Sequence, residues 1–356
     1  MNTILLNKKS VRQNKKVKTI HKLAKRKYKR PENPVIKSKI CKFVTFTGEN
    51  IRVNSQNRKE TNPIENLDEL LRVLEQEKLT GMSGNGFLVV KKLKTFIKST
   101  SKERCLIVNA VECEPGLLHD EWLLNNHFEL IIKAIQYILD ILKLKSCIFA
   151  TKKEINVKDE RIQVNKVPAR YPMGEEHILI QQLLGKKLQK QCIPAKEGIL
   201  VMNVQTLLQI YFCAMGNHAS GRLITTVNID NGEATVAYIE YGTNIKEYIK
   251  EQYGNVKNCY AGGGIMSAHQ VSEKECFDAQ VSFVAIGHAI VQEFDEKCKG
   301  CGRCSKVCPM GIDVRKLVKA KENKGMVSED YVSQCIHCNS CSFVCAAHKN
   351  IPEFLK

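Results

Sequence analysis

The chain lacks any uninterrupted apolar run long enough to cross a bilayer. Its most hydrophobic stretch, residues 128–144, is broken by Lys133 and Asp140, so it reads as a buried amphipathic helix. Aromatic residues make up only 6% of the 356 positions, with one tryptophan. No stacking-aromatic motif or zinc-finger spacing accompanies the basic residues, which argues against nucleic-acid recognition. The basic N-terminus is not followed by an apolar h-region, so no secretory leader is expected. Residues 1–30 contain no Asp or Glu but twelve Lys or Arg, and so hold most of the formal net charge of +18. Such an arm, taken here as 1–60, cannot bury enough apolar surface to fold alone. Its readings stay open between docking on an acidic partner, on nucleic acid or on an anionic membrane surface, and a solvated tail without a partner.

Cysteine is abundant, at sixteen residues. Without a leader these thiols imply a reducing compartment, the cytoplasm, where they serve metals rather than disulfides. Eight are scattered singly (Cys41, Cys105, Cys113, Cys147, Cys192, Cys213, Cys259 and Cys276), and most are expected to be small buried hydrophobes. The other eight form two quartets, Cys298-x2-Cys301-x2-Cys304-x3-Cys308 and Cys335-x2-Cys338-x2-Cys341-x3-Cys345. This is the spacing of two-cluster ferredoxins, in which the fourth cysteine of each run ligates the other cluster. It assigns Cys298, Cys301, Cys304 and Cys345 to one [4Fe–4S] cluster, and Cys335, Cys338, Cys341 and Cys308 to a second. Zinc is the rival, but zinc usually takes two separated CxxC pairs and gains nothing from a third cysteine at the same interval. Cys308 is followed by Pro309, whereas Cys345 is followed by Ala346. His337 and His348 lie nearby and are read as surface residues.

Between the arm and the quartets, helical and strand-like segments alternate. Residues 65–79 have helical periodicity and stop at Thr80-Gly81. Residues 105–111 and 146–151 are apolar runs suited to buried strands, helices are expected over 120–144, broken near Asn125-Asn126, and from about Gly174, and residues 199–215 read as a strand–helix unit. This alternation predicts an open, mostly parallel sheet covered by helices. From about 220 the texture changes to strands with one short helix, NIKEYIKEQYG. The expected organisation is an α/β domain over 61–218, a small α+β module over 219–285 and an α-helical dicluster domain over 286–356.

Five short segments, in order, make the chain resemble the RnfC family and, more distantly, the flavin-carrying subunit of respiratory complex I. GMSGNGFLVVKKL, with Gly81, Gly84, Gly86, Phe87 and Lys92, is similar to that family's glycine loop, though Ser83 and Leu88 depart from it. IVNAVECEPGLLHD supplies Asn109, Glu112, Cys113, Glu114, Pro115 and Asp120. YPMGEEHILIQQLLG supplies Gly174, Glu175 and Glu176, and MNVQT supplies Asn203 and Thr206. GGGIMSAHQ resembles a turn of the family's soluble-ligand-binding β-grasp (SLBB-like) module. The resemblance implies a Rossmann-like domain in which the glycine loop and Asn109 bind FMN, with NADH approaching over it. A glycine loop opening a helix suits a phosphate, and Lys92 would add positive charge. Asn109 would offer a paired donor and acceptor to the flavin edge. Asn203 and Thr206 would contact the phosphate or ribityl chain, and Glu112, Glu175 and Glu176 would shape the nicotinamide cleft. The alternative is a relict fold without flavin. The implied partner is a redox protein in a membrane-bound or soluble reductase complex. His119 and His177 are read as surface or loop residues, and Trp122 as helix packing.

Overall fold

The computed structural model describes residues 62–83, 86–189, 191–287, 297–323, 325 and 333–355. The basic arm, Gly84 and Cys41 lie outside the described residues. After helices α1 (Leu67–Gln76) and α2 (Val89–Ile97) comes strand β1 (Cys105–Ala110). Helices α3 (His119–Asn126) and α4 (Phe128–Ile141), strands β2 (Cys147–Thr151) and β3 (Ile162–Lys166), helix α5 (Glu176–Leu184), strand β4 (Ile199–Asn203) and helix α6 (Val204–Ala214) follow. The four strands form one parallel sheet in the order β3-β2-β1-β4. Alternation along β1 divides the core. Leu106 and Val108 pack with α4 residues Ile131, Ile135 and Ile138 on one face, whereas Ile107 packs with Leu179 and Ile180 of α5 on the other. Lys133 and Asp140 of α4 do not join the buried stripe, which makes the run a core helix. Among the described residues no helix is long and apolar enough to cross a membrane.

A second sheet is built from β5 (Gly221–Asn228), β6 (Ala234–Glu240), β7 (Asn258–Gly262), β8 (His269–Gln270) and β9 (Phe283–Gly287), with helix α7 (Ile245–Tyr253) after β6. Its order is β6-β5-β9-β7-β8, antiparallel except for the β5–β9 pair. Ile245, Tyr248 and Ile249 of α7 cover one face, packing on Ile224, Ala237 and Val284. Tyr260, Met266 and Phe283 on the other face meet Leu117, Tyr171 and Phe343 from outside the sheet. The described residues of the C-terminal segment form short helices, α8 (Arg303–Val307), α9 (Val314–Glu322), α10 (Ser340–Phe343) and α11 (Ile351–Phe354). Its apolar core is small, centred on Ile312, Val314, Leu317, Val318 and Ile351 with the cysteines packed around them.

The chain departs from the expected elements in two places. Strand β3 carries Gln163, Asn165 and Lys166. Its polar composition suits a sheet edge and hides it from a hydrophobicity reading. Strands β7 and β8 are likewise absent from the sequence reading. The break expected near Asn125-Asn126 within the 120–144 helical stretch is present: His127 closes α3 and opens α4 with non-helical backbone.

Gly221, at the start of β5, has no room for a side chain. A Cβ there would lie 2.4 Å from the Ile239 carbonyl oxygen and 2.9 Å from Glu240 Cα, both backbone atoms. Gly221→Ala is expected to lower stability by about 2 kcal/mol through this overpacking. Thermal unfolding checks this, and an unchanged midpoint contradicts it.

A sheet crevice, a buried acid pair and two cysteine cradles

The chain leaves β1 toward β2 on one side, and β4 returns on the other side of β1. That reversal opens a crevice beyond the C-terminal ends of β1 and β4, where ligands bind in open α/β sheets. Asn109 and Asn203 stand in register at those two strand ends. The glycine loop is drawn to the same crevice, because the Met82 amide donates to Thr206 Oγ1 at 2.8 Å. The loop is also held from the second sheet. Arg222 of β5, fully buried, donates to the carbonyl oxygens of Met82 at 2.5 Å and Ala279 at 2.6 Å. Gly86 sits at φ +59°, a left-handed value that glycine takes without strain.

Helix α2 opens directly after this loop. Leu88 at its N-cap provides no side-chain bond, and its first turn holds no acid. The amides of Val89 and Lys91 in that turn already donate to the carbonyl oxygens of Leu79 at 2.9 Å and Leu88 at 3.1 Å, so the helix dipole and Lys92 are what suit a phosphate there. Lys92 also pairs with Glu176 at 3.0 Å, which ties α2 to α5 across the crevice. Glu175 caps α5 by accepting from the Ile178 amide at 3.0 Å and sits 3.1 Å from His177 Nδ1. That contact, ahead of the opposing effect of burial, raises the His177 pKa.

Other expected site residues are already engaged by the chain. Asn109 donates to the Gly174 carbonyl at 2.9 Å and accepts from the Val111 amide at 3.1 Å. Its carboxamide therefore braces the β1 end against the Gly174 turn and keeps one N–H, rather than presenting a paired edge. Asn203 caps α6, accepting from the amides of Gln205 at 2.9 Å and Thr206 at 3.3 Å. Glu112 does not line the cleft. Its carboxylate accepts from the amides of Asp120 at 2.8 Å and Glu121 at 3.0 Å, capping α3 from below.

Below the crevice lies a buried ionisable group that the sequence reading missed. Asp120 accepts from Asn203 Nδ2 at 2.6 Å through Oδ2, and its Oδ1 finds no partner among the described residues. His119, expected at the surface, is 3% exposed. Its Nε2 stands 3.7 Å from Asp120 and 3.8 Å from Glu112, too far for hydrogen bonds. Burial, then the Arg222 charge, pushes its pKa down to about 3, so the imidazole is neutral. Burial raises Glu112 and Asp120, and the Glu112 charge raises Asp120 further. Two carboxylates so placed favour holding a proton between them. The lone signal in the sequence was the spacing of Glu112 and Asp120 within one short motif.

The cysteine quartets close as two separate cradles. Cys298, Cys301 and Cys304 line one cavity together with Cys345, and Cys335, Cys338 and Cys341 line the other together with Cys308. Among the described residues, the triad of His, Cys, Asp or Glu whose ligand atoms all lie within 4.8 Å of one another is Glu112, His119 and Asp120, not any set of cysteines. Thiolates around one zinc would stand about 3.8 Å apart at a Zn–S length of about 2.3 Å. Among the described residues no three cysteine sulfurs lie within 4.8 Å of one another, which is wider than that spacing. His337 is exposed and His348 half-buried. Of the scattered cysteines, Cys147, Cys213 and Cys259 are buried, while Cys105, Cys113, Cys192 and Cys276 are partly exposed.

The second cradle is tied to the rest of the chain. Tyr171 Oη donates to the Cys338 carbonyl at 2.8 Å, and Asn339 Nδ2 donates to the Met266 carbonyl at 2.8 Å. Glu114 completes the junction by accepting from the Met266 amide at 2.8 Å. It packs so closely on Gly264 that a Cβ there would lie 2.1 Å from Glu114 Cγ. Tyr171 and Glu114 lie inside the quoted motifs, but only the tertiary fold gives them this task.

Comparison with known proteins agrees with these features. Residues 74–212 match the Nuo51 FMN-binding domain, and residues 297–350 match the 4Fe-4S dicluster domain. The chain thus carries an FMN-binding type of domain followed by a 4Fe-4S dicluster domain, and is similar over most of its length to curated C subunits of ion-translocating oxidoreductase complexes. The cofactor classes of these two domains are FMN and paired [4Fe–4S] clusters. The chain is 27% identical over 300 residues to the C subunit of the ion-translocating oxidoreductase complex of Buchnera aphidicola subsp. Acyrthosiphon pisum, with 79% of this chain and 63% of that protein covered. It is 26% identical to the C subunit of the proton-translocating ferredoxin:NAD(+) oxidoreductase complex of Clostridium ljungdahlii, covering 69% of this chain and 56% of that one. Cobalamin reductase PduS of Citrobacter freundii is 24% identical, with 74% and 64% covered. The chain thus spans less than two thirds of the length of these relatives. In fold it is similar to a chain of an NAD+-reducing [NiFe]-hydrogenase in the H2-reduced state, with TM-score 0.56, 15% identity, and 83% of this chain and 66% of that chain covered.

Glu114 generates a pH-dependent prediction. Burial raises its pKa from 4.5 to about 7. Between those values the folded protein binds more protons than the unfolded one, so stability falls as pH rises through that window and stays lower above it. Glu114→Gln is expected to match the parent near pH 4 and to exceed it near pH 8 by about 2–3 kcal/mol. Denaturant titrations at the two pH values check this. Equal stabilities at the higher pH contradict it.

Proposed function

We propose that the chain is an electron-transfer flavo-iron–sulfur subunit, passing electrons from NADH by way of FMN and two [4Fe–4S] clusters to a redox partner protein. The observation that carries this reading is the separation of the eight cysteines into two crossed cradles, one of them bonded to the α/β body that holds the crevice. In this reading Cys298, Cys301, Cys304 and Cys345 hold one cluster, and Cys335, Cys338, Cys341 and Cys308 hold the other. Gly81, Gly84, Gly86 and Lys92 hold the phosphate at the N-terminus of α2. Asn109 and Gly174 set the crevice floor, Asn203 and Thr206 anchor the glycine loop through α6, and Glu175 and Glu176 form the wall toward which the nicotinamide approaches. When bound, FMN supplies the step between hydride and single-electron chemistry, and the clusters supply single-electron transfer. The chain contributes spacing and charge. The second sheet with α7 is the SLBB-like module of this reading, and Arg222 is its hold on the glycine loop.

A second reading, a flavin-free iron–sulfur carrier, draws on a specific observation. The side chains of Asn109, Asn203 and Thr206 all bond within the chain, and Ser83 stands in the glycine loop. Anaerobic purification separates the two. The first reading expects about eight iron per chain, releasable FMN, and bleaching of the visible absorption on adding NADH. The same iron without flavin favours the second reading, and zinc without iron contradicts both.

A further inference from the structure

Tyr171 and Asn339 turn the second cradle inward, whereas the first keeps an exposed edge. Cys301 is exposed, and so are Lys297, Arg303, Lys306, Lys316 and Lys319 around it. Helix α9 folds back over the cradle loop. A Cβ added at Gly300 would lie 3.3 Å from Lys319 Nζ, and one at Gly302 would lie 3.7 Å from Arg315 Nη1. Residues 297–323 hold eight Lys or Arg against two acids, and both acids are engaged within the chain. Asp313 accepts from Ser305 Oγ at 2.7 Å and caps α9. Glu322 accepts from the Cys298 amide at 2.8 Å and pairs with Lys349 at 3.1 Å. Among the described residues of this face the outward charge is therefore positive, and Val307, 37% exposed, adds apolar surface to it.

From this charge pattern we infer that the face formed by the Cys298–Cys304 loop, α8 and α9 is the docking site for a small acidic single-electron carrier protein. This rests on the proposed flavo-iron–sulfur reading. Docking sets the carrier's redox centre against the exposed edge at Cys301. One electron leaves the group held by the first quartet and the carrier gains it, or the reverse, with no atoms transferred. Opposite charge steers the encounter, and salt weakens it. The same charge disfavours a basic carrier.

The test uses the anaerobically purified full chain, with a flavodoxin as acidic probe and a basic cytochrome c as counter-probe. Binding is measured by calorimetry, and iron and flavin contents are measured on every sample. The expected result is flavodoxin binding that weakens about tenfold or more between about 20 and 200 mM salt, with weaker binding of the cytochrome. Arg303→Glu, Lys316→Glu and Lys319→Glu together should weaken flavodoxin binding at least tenfold with iron content unchanged. The matching glutamine triple, which guards against misfolding of the reversed variant, should give an intermediate loss. Reversal at Lys186 and Lys187, on the loop after α5, should change binding less than twofold. The inference is overturned if iron-replete protein does not bind flavodoxin, binds the cytochrome as well, or loses no affinity in either triple variant. Protein without iron overturns the functional reading instead, so the two failures are distinguishable.

Discussion

The crossing of Cys308 and Cys345 between the two quartets is the constraint on which the C-terminal part of the chain depends. That part has short helices and a small apolar core, too little to fix its path by hydrophobic burial alone. Each run of three cysteines curls around one cradle, and its fourth member is delivered to the other. The left-handed backbone at Gly300, Gly302, His337 and Asn339 gives the loops this curl. Because the path is set in this way, the Cys338 carbonyl and the Asn339 side chain arrive where Tyr171 and Met266 meet them.

The α/β body imposes a comparable constraint. Its strand order places a crevice between β1 and β4, and α2, α5 and α6 present their N-termini around it. Much of the polar chemistry there serves to hold the crevice open. Asn203 caps a helix and also bonds Asp120, Glu112 caps another helix, and Arg222 reaches across from the second sheet. The scaffold under the crevice is thus built from buried charged groups. Such networks are costly unless every member is satisfied. In this one Asp120 Oδ1 finds no partner among the described residues, and burial together with the Glu112 charge raises the Asp120 pKa.

How much of this the sequence disclosed follows from the range of the interactions. Cysteine spacing is local and carries its own geometry, so the two cradles were legible from residues 298–345. The buried strands β1, β2 and β4 were legible because both faces are apolar. Strand β3 was not, because an edge strand can be polar. His119 looked like a loop residue, and its burial against Thr225 depends on a strand more than a hundred positions away. Glu112, Asn109 and Asn203 were recognised as important by motif, but their partners lie in other elements, and a motif does not reveal which atoms are already engaged. Arg222 carried no local signal at all.

The crossed arrangement is also the part of the account most open to direct measurement. Electron paramagnetic resonance of the reduced protein should resolve two cluster signals, and serine variants should sort them. The account predicts that Cys345→Ser perturbs the same signal as Cys298→Ser, and that Cys308→Ser perturbs the same signal as Cys335→Ser. If Cys308→Ser instead tracks Cys298→Ser, each quartet closes on itself and the account is contradicted.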